Sequence, residues 1–214
     1  MNLIISIILS YLLGSTPFAF ILGKVFKKID LRKTGSGNIG ATNLARVAGY
    51  KIGSVALILD ATKGIIPVIL FADLTTNSFG LSIDLVRVIL GIVSICGHNW
   101  TIFLNFKGGK GIATSLGVLI GLSIKNLIFG KVLAILAILW FTTLLLSGYV
   151  SLASIISAIF LPIFLTFFGS NSTYITFSII ISIFALYRHK SNIFRLLQHK
   201  ENKFNIKSKF FKKR

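Results

Sequence analysis

Two short stretches carry most of the polar chemistry that this chain can offer. The first is "GSGNIGATNLAR", residues 35–46. Its glycines permit positive φ and close backbone approach, and Ser36, Asn38, Thr42 and Asn43 supply small hydrogen-bonding groups. Successive backbone N–H groups in such a run form an anion-binding nest, and Arg46 adds a planar guanidinium suited to a phosphate. The second is "KGGKG" within "GHNWTIFLNFKGGKGIAT", residues 97–114. There the backbone of Gly108, Gly109 and Gly111 can come close to an anion, and Lys110 supplies charge. The apolar helix predicted next turns the positive end of its dipole toward the same place. The loop is not a Walker A motif, because Leu104 stands at its first glycine and Gly111 where Ser or Thr is required. Each stretch alone also reads as a glycine-rich turn with capping or anchoring polar residues.

Three further features lie among apolar residues. "YRHKSNIFRLL", residues 187–197, places His189 and Asn192 at i and i+3, on one face if the segment is helical. "GYVSLAS", residues 148–154, puts Ser151 and Ser154 at the start of an apolar run, as substrate contacts or as helix caps. Asp60 and Lys63 in "LDATKGIIP" sit within another apolar run, where ionisable groups are costly unless paired, and a structural ion pair is expected. Absences count as well. No HxxxxD dyad exists, since Phe103, Phe194 and Phe204 stand five residues after His98, His189 and His199. With five acidic residues in the chain, a protein general base is hard to nominate. The lone Cys96 forms no internal disulfide, and no Cys/His spacing suits a metal, so neither metal nor cofactor is expected.

The elements that must position these residues are apolar helices. Of 214 residues 54% are hydrophobic and 13% charged, with a mean hydropathy of +0.87, a balance that belongs to an integral membrane protein. The expected fold is all-α with seven transmembrane helices near 3–23, 52–71, 86–104, 112–124, 131–146, 150–168 and 174–187. One membrane domain, 1–214, is expected, ending in a basic tail from about 188–214. The first apolar stretch lacks a basic n-region and is followed by Lys24, Lys27 and Lys28, which marks a retained span rather than a cleaved signal. Of 23 Lys and Arg residues, nineteen fall in the first loop, the third loop and the tail. The positive-inside rule then places the N-terminus outside and the tail in the cytoplasm. The formal charge of +18 is explained by this flanking placement rather than by nucleic acid. In the tail, "NKFNIKSKFFKKR" interleaves Phe with Lys, as a segment on anionic lipid does, or as an ordinary positive anchor.

Read together, "SYLLGSTPFAF", "DLRKTGSGNIGATNLAR", "LDATKGIIPV", "GHNWTIFLNFKGGKGIAT", "YVSLAS" and "RHKSNIFRLL" resemble the bacterial acyl-phosphate:glycerol-3-phosphate acyltransferase family in order and spacing. That resemblance implies a small seven-span enzyme of the bacterial plasma (inner) membrane with a cytoplasmic active site. It implies acyl transfer from acyl phosphate to the 1-hydroxyl of glycerol 3-phosphate, giving lysophosphatidic acid and inorganic phosphate for phospholipid synthesis. Carried onto matching positions, Ser36, Arg46, Lys110, His189 and Asn192 would bind glycerol 3-phosphate or the reacting phosphate. Thr42, Asn43, Gly108, Gly109, Gly111 and a serine of the pair Ser151 and Ser154 would line the acyl-phosphate site, with Asn38 beside them.

The chain departs from the family pattern at Gly148, where a basic residue is common, and at His199, where "RLL" is usually followed closely by glycine. A channel or transporter for an anionic metabolite is the alternative reading, but it needs polar residues continuing across the bilayer, and here they cluster on one face. A non-catalytic scaffold or lipid-binding subunit would have no need of paired anion sites.

Overall fold

The structure is a computed structural model that describes residues 1–76 and 79–204. The end of the basic tail, 205–214, including most of "NKFNIKSKFFKKR", lies outside the described residues. Among those described, all named elements are helical. They are α1 (Leu3–Ser15), α2 (Phe18–Lys27), α3 (Ala41–Ala48), α4 (Tyr50–Ile66), α5 (Ile83–Asn99), α6 (Ile112–Lys125), α7 (Leu127–Ser147), α8 (Val150–Phe167), α9 (Ser172–Arg188) and α10 (Lys190–Leu197). The last turns of α4 widen into a π-helical stretch, Pro67–Phe71.

Among the described residues five segments are long and apolar enough to cross a membrane: Leu3–Lys27, Tyr50–Phe71, Ile83–Leu104, Leu127–Ser147 and Val150–Phe167. The other two expected spans form as helices α6 and α9, of 14 and 17 residues. At 1.5 Å per residue these reach about 21 and 26 Å, short of a hydrocarbon core of roughly 30 Å. The first expected span is also not one helix. Pro17 has no N–H to donate and the chain turns at Thr16, so α1 and α2 are separate.

The break leaves carbonyls to be satisfied, and polar groups from neighbouring elements reach them. Thr101 Oγ1 donates to the Ser15 carbonyl at 2.5 Å, and Lys63 Nζ donates to that of Thr16 at 2.9 Å. Lys63 also pairs with Asp60 at 2.9 Å, both side chains being buried. The ion pair expected from sequence is present, and its lysine additionally repairs the kink.

Close helix contact depends on absent side chains. A Cβ on Gly117 of α6 would fall 1.9 Å from the Ala61 carbonyl oxygen of α4, and one on Gly64 of α4 would fall 2.2 Å from that of Thr114. Small residues at such a crossing let two backbones approach in a setting where lipid gives no hydrophobic drive between helices. An apolar core of Ile95, Leu122, Phe129, Leu165 and Phe177 joins α5 through α9.

A second cluster anchors what will form the site. Leu31 and Ile39 from the loop after α2, and Ala41 and Leu44 from α3, pack with Phe20 and Ala56. Fully burying a leucine such as Leu31 or Leu44 contributes about 1.5–3 kcal/mol. That is sufficient to hold the short helix α3 with its Arg46 turned away from the core. At the opposite end of the bundle Asp73 accepts from Arg87 and Lys125, both at 2.7 Å.

Candidate active site

Four segments meet at one end of the bundle: the 30–46 loop with α3, the turn from α5 into α6, the start of α8, and α9–α10 with the chain that follows. Together with α4 and Trp140 of α7 they enclose a cavity of about 260 Å³. Of the residues singled out from sequence, Ser36, Asn38, Thr42, Asn43, Arg46, Lys110, Gly111, Ser151, Ser154, His189 and Asn192 all line it. Gly108 instead lines an adjoining cavity of about 460 Å³, and Gly109 lines neither. The two cavities share Ser36, Asn38 and Lys110, and the second adds Arg32, Lys107, Arg188 and Arg195.

The 30–46 loop is organised by Asn43, which is 2% exposed. Its Oδ1 accepts from the Ser36 N–H at 2.9 Å, while Nδ2 donates to the Thr34 and Asn38 carbonyls at 3.0 and 2.8 Å. This amide is engaged within the protein, so its part in the site is to hold Ser36 in place. Asn38 Oδ1 accepts from the Gly40 N–H at 2.9 Å, closing the turn into α3.

The second glycine loop differs from a simple nest. The Gly108 and Gly109 N–H groups donate to the Asn99 and His98 carbonyls at 3.2 and 3.0 Å. Arg188 donates from Nη2 and Nε to the Gly108 and Gly109 carbonyls at 2.7 and 2.9 Å. A Cβ on Gly109 would lie 2.1 Å from His98 Nε2. These glycines therefore dock the loop against the end of α5, and Lys110 and Gly111 form the part that faces the cavity. Gly111, at φ +79°, precedes α6, so the positive end of that helix lies beside Lys110.

Lys110 donates to Asn192 Oδ1. Burial first, then the Arg195, Arg46 and Arg188 charges, push its ammonium down to about 8, with Glu201 opposing them. His189 Nδ1 donates to the Ala185 carbonyl at 2.8 Å, which fixes the tautomer and leaves Nε2 as the acceptor. Burial and the Lys110 charge push this ring down to about 4, so it is neutral at pH 7. The two serines of α8 separate: Ser151 Oγ donates to Glu201 at 3.1 Å, whereas Ser154 Oγ donates to the Val150 carbonyl at 2.9 Å and accepts from Trp140 Nε1 at 3.2 Å.

This is also the architecture of a known set of proteins. The glycerol-3-phosphate acyltransferase family model matches residues 4–199. The chain belongs to that family. A glycerol-3-phosphate acyltransferase of Fusobacterium nucleatum is 44% identical over 188 residues, 87% of this chain and 90% of that one. One of Desulforamulus reducens is 42% identical over 186 residues, 87% of each chain. A crystal structure of PlsY, an integral membrane glycerol 3-phosphate acyltransferase, in its glycerol 3-phosphate form superposes with a TM-score of 0.83. It has 39% identity and covers 94% of this chain and 95% of that one. Its lysophosphatidic acid form gives a TM-score of 0.80 at 37% identity, covering 94% of each. With its apolar helices, this member of the acyltransferase family is a multi-pass membrane protein.

Sequence reasoning missed several residues of the cavity wall. Asp60 and His98 line it, although Asp60 reads as a structural pair and His98 as a failed dyad. Tyr50, Glu201 and Phe204 line it too. The available signal was Glu201 itself, a single carboxylate in the otherwise basic run "RLLQHKENK". His199 explains how it arrives. At φ +55° it takes the left-handed turn that a glycine would make freely, and it sends the chain back toward the bundle. Phe204 N–H then donates to the Gly148 carbonyl at 2.7 Å, and its ring meets Tyr50 edge-on at 5.4 Å.

Proposed function

We propose that this protein transfers a fatty acyl group from acyl phosphate to the 1-hydroxyl of glycerol 3-phosphate, releasing lysophosphatidic acid and inorganic phosphate. The observation that carries this reading is the pair of cation-lined cavities sharing Ser36, Asn38 and Lys110. Two phosphate-bearing substrates placed on either side of one ammonium are brought together without mutual repulsion deciding the outcome. Arg46 and Ser36 would hold one phosphate, and Lys110 with the start of α6 the developing charge on the other.

An acyl phosphate is a mixed anhydride, so no covalent protein nucleophile is needed. The 1-hydroxyl oxygen attacks the acyl carbon and the carbon–oxygen bond to phosphate breaks. Phosphate departs with the electron pair, and the hydroxyl proton passes to a phosphate oxygen. Neutral His189, with Nε2 as acceptor, suits a substrate hydroxyl better than a phosphate. Leu57, Ile112, Ala113 and Trp140 give the cavity an apolar side, along which the acyl chain would leave toward lipid. The test is donor choice: purified protein is expected to form lysophosphatidic acid from acyl phosphate and not from acyl-CoA or acyl carrier protein. Comparable turnover of acyl-CoA would overturn the proposal.

The proposed setting is the bacterial plasma membrane, with seven spans in one domain, the N-terminus outside and the site on the cytoplasmic face. Local bilayer thinning would accommodate α6 and α9. In a Cys96→Ser background, single cysteines at Lys33, Lys107 and Lys200 are expected to react only with a probe supplied from inside. Labelling of any of them from outside contradicts this topology.

A further inference from the structure

Asn192 is an amide of the cavity that links a cation to an anion, and its orientation is chemically determined. Glu201 Oε1 accepts from Asn192 Nδ2 at 2.8 Å and from Ser151 Oγ at 3.1 Å, while Oε2 accepts from Arg195 Nε at 2.8 Å. A carboxylate can only accept, so Asn192 must turn its NH₂ toward Glu201, and its carbonyl oxygen therefore faces the Lys110 ammonium. We infer that Glu201 is a positioning residue for the acyl transfer proposed above: through Asn192 it holds Lys110 in place, and through Ser151 and Arg195 it fixes the neighbouring donors.

The chain invests considerable structure in delivering this carboxylate. The left-handed turn at His199 aims it, the contacts of Phe204 with Gly148 and Tyr50 tie down the segment beyond it, and the Glu201 side chain is 6% exposed. Burial works against its charge, but the hydrogen bonds from Arg195, Asn192 and Ser151 outweigh that and keep the carboxyl below its ordinary range.

The consequence is readable in pH. The charged groups around Lys110 are Arg46 from α3, Arg188 at the end of α9, Arg195 from α10 and Glu201, with His189 next to it. Tyr50 and Asp60 of α4 and His98 of α5 complete the titratable wall of the same cavity among the described residues. Glu201 is the acid that favours the ammonium against three arginines. Without its charge Lys110 deprotonates at lower pH, so an activity that needs the ammonium fails earlier as pH rises.

The experiment compares wild type, Glu201→Gln and Glu201→Asp in two readouts. One is the pH profile of kcat/KM for glycerol 3-phosphate. The other is the pH dependence of reductive methylation at Lys110, followed by mass spectrometry, which needs no activity. Glu201→Gln is expected to lower kcat/KM roughly 10-fold and to move both the alkaline limb and the methylation midpoint down by about half to one pH unit. Glu201→Asp keeps the charge and is expected to return the midpoint to within a few tenths of a unit of wild type, whatever its rate. An unmoved methylation midpoint in Glu201→Gln overturns the inference, whether or not activity falls. A wild type that makes no lysophosphatidic acid while the midpoints shift as expected would sink the proposed reaction and leave the positioning of Lys110 standing.

Discussion

Lys110→Ala, Arg46→Ala and Ser36→Ala are each expected to lower turnover by about 10²–10³, or 3–4 kcal/mol of lost transition-state stabilisation. The three residues line one cavity, and Lys110 and Ser36 also line its neighbour. In water a single ammonium does little for a phosphate. In a partly enclosed site fed by two glycine loops it acts at lower dielectric and is already in position. The larger part of the loss should appear in kcat for Lys110→Ala, because the proposal has that ammonium meet charge that grows as phosphate leaves. Lys51→Ala is the control, since Lys51 is exposed at the start of α4 outside both cavities. Steady-state kinetics on detergent-purified, monodisperse protein decide the matter, and near-normal turnover in all three variants would remove the site from consideration.

Gly109→Ala should be nearly as damaging, for a different reason. The new methyl carbon would sit 2.1 Å from His98 Nε2, and the backbone has little room to yield. Its N–H is bonded to the His98 carbonyl and its own carbonyl accepts from Arg188. Either the His98 ring or the loop carrying Lys110 must move. Overpacking of this kind costs typically about 1–3 kcal/mol in stability. A displacement of the order of 1 Å at Lys110 would add roughly 10² in rate. Gly130→Ala is the comparison. Nothing lies within 4 Å of a Cβ there, in the first turns of α7, so its melting temperature should hold or rise. Equal melting temperatures and rates for the two alanine variants would contradict the docking role assigned to Gly109.

Much of this site was legible in the sequence because its chemistry is local. A run such as "GSGNIGATNLAR" or "KGGKG" between apolar helices signals close backbone approach, and two such runs taken together point to an anion site. What the runs could not disclose was how their atoms are shared out. Asn43 and Asn38 read as ligand donors, yet the Asn43 amide holds the loop that presents Ser36. The backbone of Gly108 and Gly109 read as open to an anion, yet their N–H groups donate to carbonyls at the end of α5. Such partners are long-range contacts, and periodicity carries no information on them.

The same holds for the fold. Apolar runs located the long helices, but the kink at Pro17 and its repair by Thr101 and Lys63 join residues 47 and 86 positions apart in sequence. Glu201 was hidden for a similar reason. Only the turn at His199 brings it back into the cavity.

The proposed reaction has the 1-hydroxyl oxygen attack the acyl carbon while phosphate leaves, and the path of that oxygen tests it. Purified protein is given acyl phosphate with glycerol 3-phosphate carrying ¹⁸O in its 1-hydroxyl, and both products are analysed by mass spectrometry. One inorganic phosphate is expected for each lysophosphatidic acid formed, with the label retained in the new ester and absent from the phosphate. Phosphate released without lysophosphatidic acid, or label recovered in the phosphate, would contradict it.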